Sequence, residues 1–595
     1  MIKKKRYLIT TEDENTWKFD RPVIFLGEWC RLYERKHIWK NMDAIVSKPY
    51  GLETTNKDKD DLKVKYLEQK ILPELYEILN ENFHTNHSKR FWQIILGPWL
   101  RLILQILLNR TYTLKQCLQI EEISGTTLYY SDYCSLSIPN LRSGYNFFDN
   151  EKWNNILNGK ILSLIDNNKI SIHYIKDKKS EYLYQNLRSK TLNNNQSLKI
   201  NIKDYIFRNY KKMAKKLVKD KDAFLINTYL NTKILIKLEL SLGQLPQIWK
   251  RLETNVNAKP DKLLRENLTK KLLKKSDDDL ENVLRNLLFE LLPVSYLEGF
   301  NELKKIVNRQ PWPKSPKFIF TSSSFNTDEL FKLYTAIKTE NGSKYYIGQH
   351  GNNYFTNRYS FPRIEEQTAD KFLTWGWRSK FSKFIPMFNF KTVGVKVSYN
   401  SKGGLLLIER PQSTRSRTWD VHSEFYNYFE DQKNFISELA KEPKKKLTIR
   451  LSRSNSNIKL NETFRWFDFN RSIKIDDGRT KLENLIAESR LVIHTYDSTG
   501  ILETFSHNIP TLVFWQKGFD HLRESVKSDY QILVDNGLLH LSAQSIANKV
   551  NEIWDNVDEW WFERNVQDAR KNFCDKYSKN CENLTKTLSS FFSKK

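Results

Sequence analysis

Leu491-Val492-Ile493-His494-Thr495-Tyr496-Asp497-Ser498-Thr499-Gly500-Ile501-Leu502-Glu503 decides how this 595-residue chain reads. An apolar run enters a small polar turn, and the turn opens a helix. Asn508-Ile509-Pro510 then returns the chain to a second apolar run, Thr511 to Trp515. Strand, loop, helix, strand is one half of a nucleotide-binding α/β unit. The helix start leaves N–H groups without intrahelical partners, and the macrodipole adds positive potential. With the hydroxyls of Ser498 and Thr499, the start at Gly500 is a candidate anion site, and Glu503 is a candidate acceptor for a ribose diol. The turn has neither the Gly-x-x-x-x-Gly-Lys nor the Gly-x-Gly-x-x-Gly spacing. An ordinary capped helix is the competing reading.

Outward from this stretch the same alternation continues. Strands are expected at Tyr7–Thr10, Val23–Leu26, Thr127–Tyr130, Lys317–Thr321, Lys344–Ile347, Lys371–Thr374, Leu405–Ile408, Leu447–Leu451, Leu491–His494 and Thr511–Trp515. Several are continuously apolar, as parallel strands covered on both faces are. Helical patterns intervene, with Leu280, Val283, Leu284, Leu287, Leu288 and Leu291 on a 3.6-residue period and Leu62 to Leu79 another example. The fold class is therefore α/β with doubly wound parallel sheets. The weakest join lies at Lys391 to Gly404, which predicts an α/β domain over 1–390, with helical elaborations at about 150–300. A nucleotide-binding domain follows over 391–550, and helices over 551–595 pack back across the boundary.

Candidate chemistry collects where strands end, since ligands of such sheets bind beyond the carboxyl ends of strands. Tyr345 to Ile347 runs into Gly348-Gln349-His350-Gly351-Asn352, where His350 is a candidate general base. Gln349, Gly351 and Asn352 are candidate substrate contacts, as are Ser322 and Ser323 in the hydroxyl-rich turn after Phe320, and Asp497. Arg410, Arg415 and Arg417 follow one strand and Arg450 and Arg453 another, and arginines there suit a pyrophosphate; Arg410, Arg450 and Arg453 are candidate donor contacts. Asp476-Asp477-Gly478 reads as a turn, since further ligands at metal-binding spacing are missing; no metal or cofactor is expected to be required. Trp375-Gly376-Trp377 fits core packing at least as well as sugar stacking.

A net charge of +27 attracts polyanions, which admits nucleic acid, anionic membrane and phosphorylated substrates alike. No zinc-finger or aromatic RNA-binding motif favours nucleic acid. The five cysteines are odd in number and lack a Cys-x-x-Cys pair, which argues for a reducing compartment. Trp92 to Leu108 holds Pro98 and Arg101 and reads as a buried helix rather than a span. These features point to a cytoplasmic protein, with peripheral membrane contact as the minor reading.

Gly348-Gln349-His350-Gly351, Ala369 to Gly376, Thr495 to Gly500 with Glu503, Phe25-Leu26-Gly27-Glu28-Trp29-Cys30 and Leu96-Gly97-Pro98-Trp99 resemble transferases encoded in bacterial O-antigen and surface-polysaccharide clusters. More distantly, the His-Gly loop and the Tyr-Asp-Ser-Thr turn are similar to signature regions of CDP-glycerol glycerophosphotransferases. That resemblance implies a GT-B-like architecture, two facing Rossmann-like domains with a cleft between them. It also implies His350 as base, Ser498, Thr499 and Gly500 at donor phosphate, and Glu503 near the ribose. Where that pattern has Trp before His-Gly and Asp-Tyr-Ser-Ser in the turn, this chain has Gln349 and Tyr496-Asp497-Ser498-Thr499, so a nucleotide sugar fits as well as a polyol phosphate. The expected partners are such a donor and a glycan or lipid-linked glycan acceptor, not nucleic acid. A non-hydrolysing sugar-nucleotide epimerase of the same fold and a non-enzymatic polyanion binder are the rivals.

Overall fold

A computed structural model describes residues 5–165, 170–176, 216–254, 256–359, 362–411, 418–419, 421–452 and 460–593. Arg415, Arg417 and Arg453 lie outside the described residues, as does much of the 150–260 segment.

The described strands form three parallel sheets. The first holds β1 (Arg6–Ile9), β2 (Val23–Phe25), β3 (Ala44–Val46), β4 (Ile123–Tyr129) and β5 (Ser171–Ile175), in the order β3-β2-β1-β4-β5. The second holds β6 (Phe224–Leu225), β7 (Phe318–Thr321), β8 (Lys344–Gly348), β9 (Lys371–Thr374) and β10 (Phe384–Pro386), in the order β10-β9-β8-β7-β6. The third holds β11 (Gly404–Ile408), β12 (Leu447–Arg450), β13 (Lys474–Asp476), β14 (Ser489–His494), β15 (Thr511–Phe514) and β16 (Leu539–His540), in the order β13-β12-β11-β14-β15-β16. The first and third sheets reverse direction at β1/β4 and β11/β14, which opens a crevice at each carboxyl edge. Two of the sheets fall within residues 1–390, so that stretch is built on a pair of sheets rather than one.

Burial drives these strands. Along β7 and β15 every residue is buried, and β14 buries all but Arg490. Helix Lys89–Ile120 is long and apolar enough to cross a membrane by composition, yet its most apolar window is 78% buried in the protein. It packs against helices Thr54–Phe83, Asp279–Leu291 and Glu329–Glu340, and Ser88 caps it by accepting from the Phe91 N–H at 3.2 Å. Trp92, Trp99 and Leu104 have no exposed surface, so this is a core helix, as its composition with Pro98 and Arg101 suggests. A side chain at Gly97 would meet Ile364 Cγ2 at 2.7 Å. The glycine thus lets the short helix Ile364–Thr368 approach, and that helix carries Glu365.

Helix Arg564–Tyr577 lies on helix Thr499–Ser506 of the third sheet, where the Arg570 guanidinium donates to the Phe505 carbonyl at 2.7 Å. Lys579 then bonds to the Trp375 carbonyl at 2.8 Å. Phe592 of the last helix, Leu584–Ser593, stacks on Phe318 of β7 with ring centres 4.4 Å apart. The fold is α/β and GT-B-like: Rossmann-like parallel sheets, the second and third presenting their strand-end loops to each other across a cleft.

Candidate active site

At the end of β8, Gln349 is 2% exposed and fully committed. Its Nε2 donates to the Gly351 carbonyl at 2.8 Å, and its Oε1 accepts from the Trp375 N–H at 2.9 Å and from Trp377 Nε1 at 2.7 Å. The expectation that Gln349 contacts substrate is corrected: its amide is consumed in fixing the turn that presents His350. Trp375 and Trp377 are core residues, buried to 0% and 1% exposure.

His350 Nδ1 lies 2.7 Å from the Tyr354 hydroxyl, and that hydroxyl donates to Glu365 Oε1 at 2.5 Å. Because the phenol proton points to the carboxylate, the phenol oxygen accepts from Nδ1–H. The imidazole is therefore held with Nε2 unprotonated, the state a general base needs. Burial pushes the His350 pKa down to about 4; Glu365 opposes the shift, and Arg363 and Lys391 reinforce it. His350 is thus neutral at pH 7. Arg363 sits 4.1 Å from the Tyr354 ring centre and donates to the Asn353 carbonyl at 3.0 Å, which holds the relay from behind.

The loop after His350 meets the loop after β14 directly. Asn352 N–H donates to Thr499 Oγ1 at 3.0 Å, and Asn352 Nδ2 donates to Asp497 Oδ1 at 2.7 Å. Asn353 Nδ2 donates to the Asp497 carbonyl at 3.2 Å. Asp497 also receives His521 Nε2 at 3.2 Å and the Tyr530 hydroxyl at 3.3 Å. Gly351 keeps the approach close, since a Cβ there would lie 3.0 Å from Thr499 Oγ1.

Two adjoining cavities open beside this contact. The larger, about 630 Å³, is lined by His350, Asn352, Arg363 and Glu365 from the second sheet's loops, by Lys57, Asp61 and Arg101 from the helices of the first sheet, and by Gln516, Lys517 and His521 after β15. The smaller, about 210 Å³, sits at the β11/β14 reversal, lined by Arg410, Tyr428, Tyr496, Asp497 and Trp515 among others. Glu424, Gln516, Lys517 and His521 border both. Around Glu424 stand Lys57 at 2.6 Å, Arg410 at 3.9 Å and Lys517 at 3.9 Å. Burial alone would raise the Glu424 pKa, but these three cations outweigh it and hold the carboxyl below its usual range. The junction thus sets one carboxylate among three cations, while Asp61 and Asp520 line the larger cavity and Asp431 and Asp497 the smaller.

Several expected contacts serve the scaffold instead. The Ser322 hydroxyl donates to the Thr228 carbonyl at 3.1 Å and has no exposed surface, and the Ser323 N–H is taken by Thr321 Oγ1. Neither serine lines either cavity. Ser498 caps its helix by accepting from the Ile501 N–H at 3.3 Å, and Thr499 accepts from Asn352. Gly500 is required by packing, since a Cβ would lie 2.5 Å from His494 Cε1. Glu503 pairs with Lys391 at 2.5 Å, away from both cavities. Arg450 is pinned to Asp476 at 3.4 Å and donates to the carbonyls of Leu451, Gly478 and Thr480, so it holds a turn rather than a pyrophosphate. Asp476 and Asp477 each accept a backbone N–H of that turn. Among the described residues no group of three His, Cys, Asp or Glu could hold a metal ion.

Sequence reasoning missed Tyr354, Glu365, Lys57, Glu424, Lys517 and His521. A signal existed for two of these: Lys517 and His521 follow the apolar run ending at Trp515, and strand-end loops are where ligands bind.

No protein of curated function matches the chain in sequence. Solved structures with a related course of chain include S. aureus MnaA with UDP, at 13% identity over 62% of this chain and 94% of that one, TM-score 0.34. They also include the spinosyn rhamnosyltransferase SpnG, at 10% identity over 63% of this chain and 100% of that one, TM-score 0.33. A third is the UDP-GlcNAc 2-epimerase of Neisseria meningitidis bound to UDP-GlcNAc, at 13% identity over 59% and 98%, TM-score 0.31. A family model describing LIC12162 family transferases matches residues 6–592, and the chain belongs to that family.

Proposed function

We propose that this transferase moves a nucleotide-activated sugar or polyol-phosphate unit onto a hydroxyl of a bacterial surface glycan, in O-antigen, lipopolysaccharide or capsule synthesis. The observation that carries the reading is the relay from Glu365 through Tyr354 to His350, which keeps the proton on Nδ1 of a histidine lining a cavity of about 630 Å³. In the step proposed, His350 Nε2 takes the acceptor hydroxyl proton. The acceptor oxygen bonds to the transferred carbon or phosphorus as the bond to the nucleotide leaving group breaks. The imidazolium is balanced by Glu365 through the phenol, as a carboxylate balances histidine in hydrolase triads. The leaving phosphate would carry its charge to Arg410, Lys517 and Lys57, an electrostatic role that requires no metal. On this reading residues 1–390 hold the acceptor, 391–550 hold the donor, and 551–595 tie the two together. The protein would work in the cytoplasm, at most in peripheral contact with the inner membrane.

The test is a thermal-shift screen with nucleotide sugars and CDP-polyols, followed by transfer assays with the ligand found. His350→Ala should abolish transfer while donor binding persists. Equal loss of donor affinity would make His350 a binding residue and sink the mechanism. Turnover of the donor with acceptor left out would point to an epimerase. Salt-sensitive binding of random oligonucleotides without any nucleotide-sugar binding would favour a polyanion binder.

A further inference from the structure

The 210 Å³ cavity has more specific content than an anion site. One face of helix Val421–Glu438 supplies Asn427, Tyr428, Asp431 and Gln432, positions spaced by one helical turn. Opposite stand Tyr496, Phe514 and Trp515, so the walls are aromatic and suit a flat ring. Tyr428 is already spent, bonding Thr495 at 2.6 Å and receiving the Arg410 N–H at 2.9 Å. Asp431 Oδ2 and Gln432 Oε1 are not: both oxygens are buried and have no hydrogen-bond partner among the described residues, and the Gln432 residue is only 1% exposed. Two buried acceptors at one cavity call for two hydrogens from whatever fills it.

We propose that this cavity reads a nucleobase bearing an exocyclic amine, with Asp431 and Gln432 as the readers, so that the donor is a cytosine, adenine or guanine nucleotide rather than a uracil or thymine one. The inference rests on the nucleotide-donor reading above and narrows it. An amino group offers two hydrogens and can satisfy both acceptors. Uracil and thymine carry a carbonyl oxygen at the position where cytosine carries its amine and offer one N3–H on that edge, so at most one of the two acceptors is satisfied and the carbonyl is left against an acceptor. The phosphates are common to all these ligands and the ribose to all but TDP, which has deoxyribose, so the comparison with UDP isolates the base.

The experiment is calorimetric titration of the full chain with CDP, ADP, GDP, UDP and TDP at one salt concentration. At least one of CDP, ADP and GDP should bind about tenfold or more tighter than UDP and TDP. Asp431→Asn, which replaces an acceptor-only group with one that also donates, should bring UDP to within about threefold of that tightest ligand. Its melting temperature without ligand is measured alongside to show that it folds. UDP or TDP binding as tightly as the tightest of CDP, ADP and GDP in the unaltered chain would overturn the base assignment and leave the nucleotide reading standing. Failure of all five to bind would overturn the nucleotide reading and this inference with it. An unchanged preference in folded Asp431→Asn would remove Asp431 as a reader.

Discussion

Tyr354→Phe removes one oxygen and breaks the relay at its centre. Two hydrogen bonds disappear, at 2.7 Å to His350 Nδ1 and at 2.5 Å to Glu365 Oε1. Phenylalanine retains the ring packed against Phe372 and under Arg363, so what is lost is polar. Glu365 is 8% exposed, and a buried carboxylate stripped of a donor costs about 1–3 kcal/mol. About 2 kcal/mol should lower the melting temperature of that unit by roughly 4–8 °C. The catalytic effect is separate. With Nδ1 no longer held as a donor, the imidazole is free to carry its proton on Nε2, where it cannot act as base. General-base catalysis is worth about 10²–10⁴-fold, and loss of tautomer control should forfeit about tenfold to a hundredfold in kcat. The direct assay is ¹⁵N NMR of histidine-labelled protein, with His350→Gln assigning the resonance among ten histidines. The unaltered protein should show Nδ1 protonated and Nε2 bare from pH 8 down to about 5, titrating only near the lowered pKa of about 4. Because the shift is downward, the base form persists through neutrality and is lost only on strong acidification. A His350 that titrates near 6.5, or an identical tautomer in Tyr354→Phe, would refute the relay.

Asn352→Ala removes the amide that joins the two facing loops, and faster hydrogen exchange at residues 495–500 should follow, with a loss of about 1–2 kcal/mol in denaturant unfolding. Gly500→Ala must displace the buried His494 ring, so it should destabilise by about 1–3 kcal/mol and lower the thermal midpoint accordingly. Gly376→Ala meets both a φ of +131° and the Asp575 and Lys576 carbonyls at 3.0 Å, and should loosen the C-terminal helices, seen as earlier proteolysis beyond residue 575. His494 is buried with its pKa lowered to about 3, so the stability it retains at neutral pH is lost as pH falls from 6.5 toward 3. Between pH 7.5 and 4.5 the unaltered protein should lose about 2–3 kcal/mol more than His494→Gln, measured by parallel urea titrations; equal losses would count against a neutral buried imidazole.

The strands show where sequence reading works and where it stops. All ten expected strands exist, and each is interior to its sheet: β1, β2 and β4, then β7, β8 and β9, then β11, β12, β14 and β15. The six that went unread, β3, β5, β6, β10, β13 and β16, are the two edges of each sheet. An interior parallel strand is covered on both faces and flanked on both sides, so it must be apolar along its length. An edge strand escapes part of that demand. β3 and β13 have no fully buried residue, β5 is largely exposed, and β6 and β16 are two residues long. The missing edges also hid the fact that residues 1–390 contain two sheets, because a short run of readable strands near the N-terminus does not announce its own boundaries.

The site divides along a different line. His350, Asn352, Arg410 and Asp497 were read from their place after interior strands, and each borders a cavity there. The serines and threonines misled because a hydroxyl at a strand–helix turn has a nearer use, capping orphan N–H groups, and Ser498 and Thr321 are both used that way. Charge misled in the same manner: Arg450 ends a strand, yet its own neighbours consume it. What no local pattern could deliver is the third wall. Lys57 reaches Glu424 across 367 positions of chain, and Arg101 borders the same cavity from the buried helix. Both residues belong to the two long helices that join β3 to β4, and helix Lys89–Ile120 packs on helix Glu329–Glu340 and on Ile364–Thr368, which carries Glu365. The N-terminal segment therefore acts on the site twice, by supplying a wall and charge through Lys57 and Arg101 and by backing the helix that holds the relay's carboxylate.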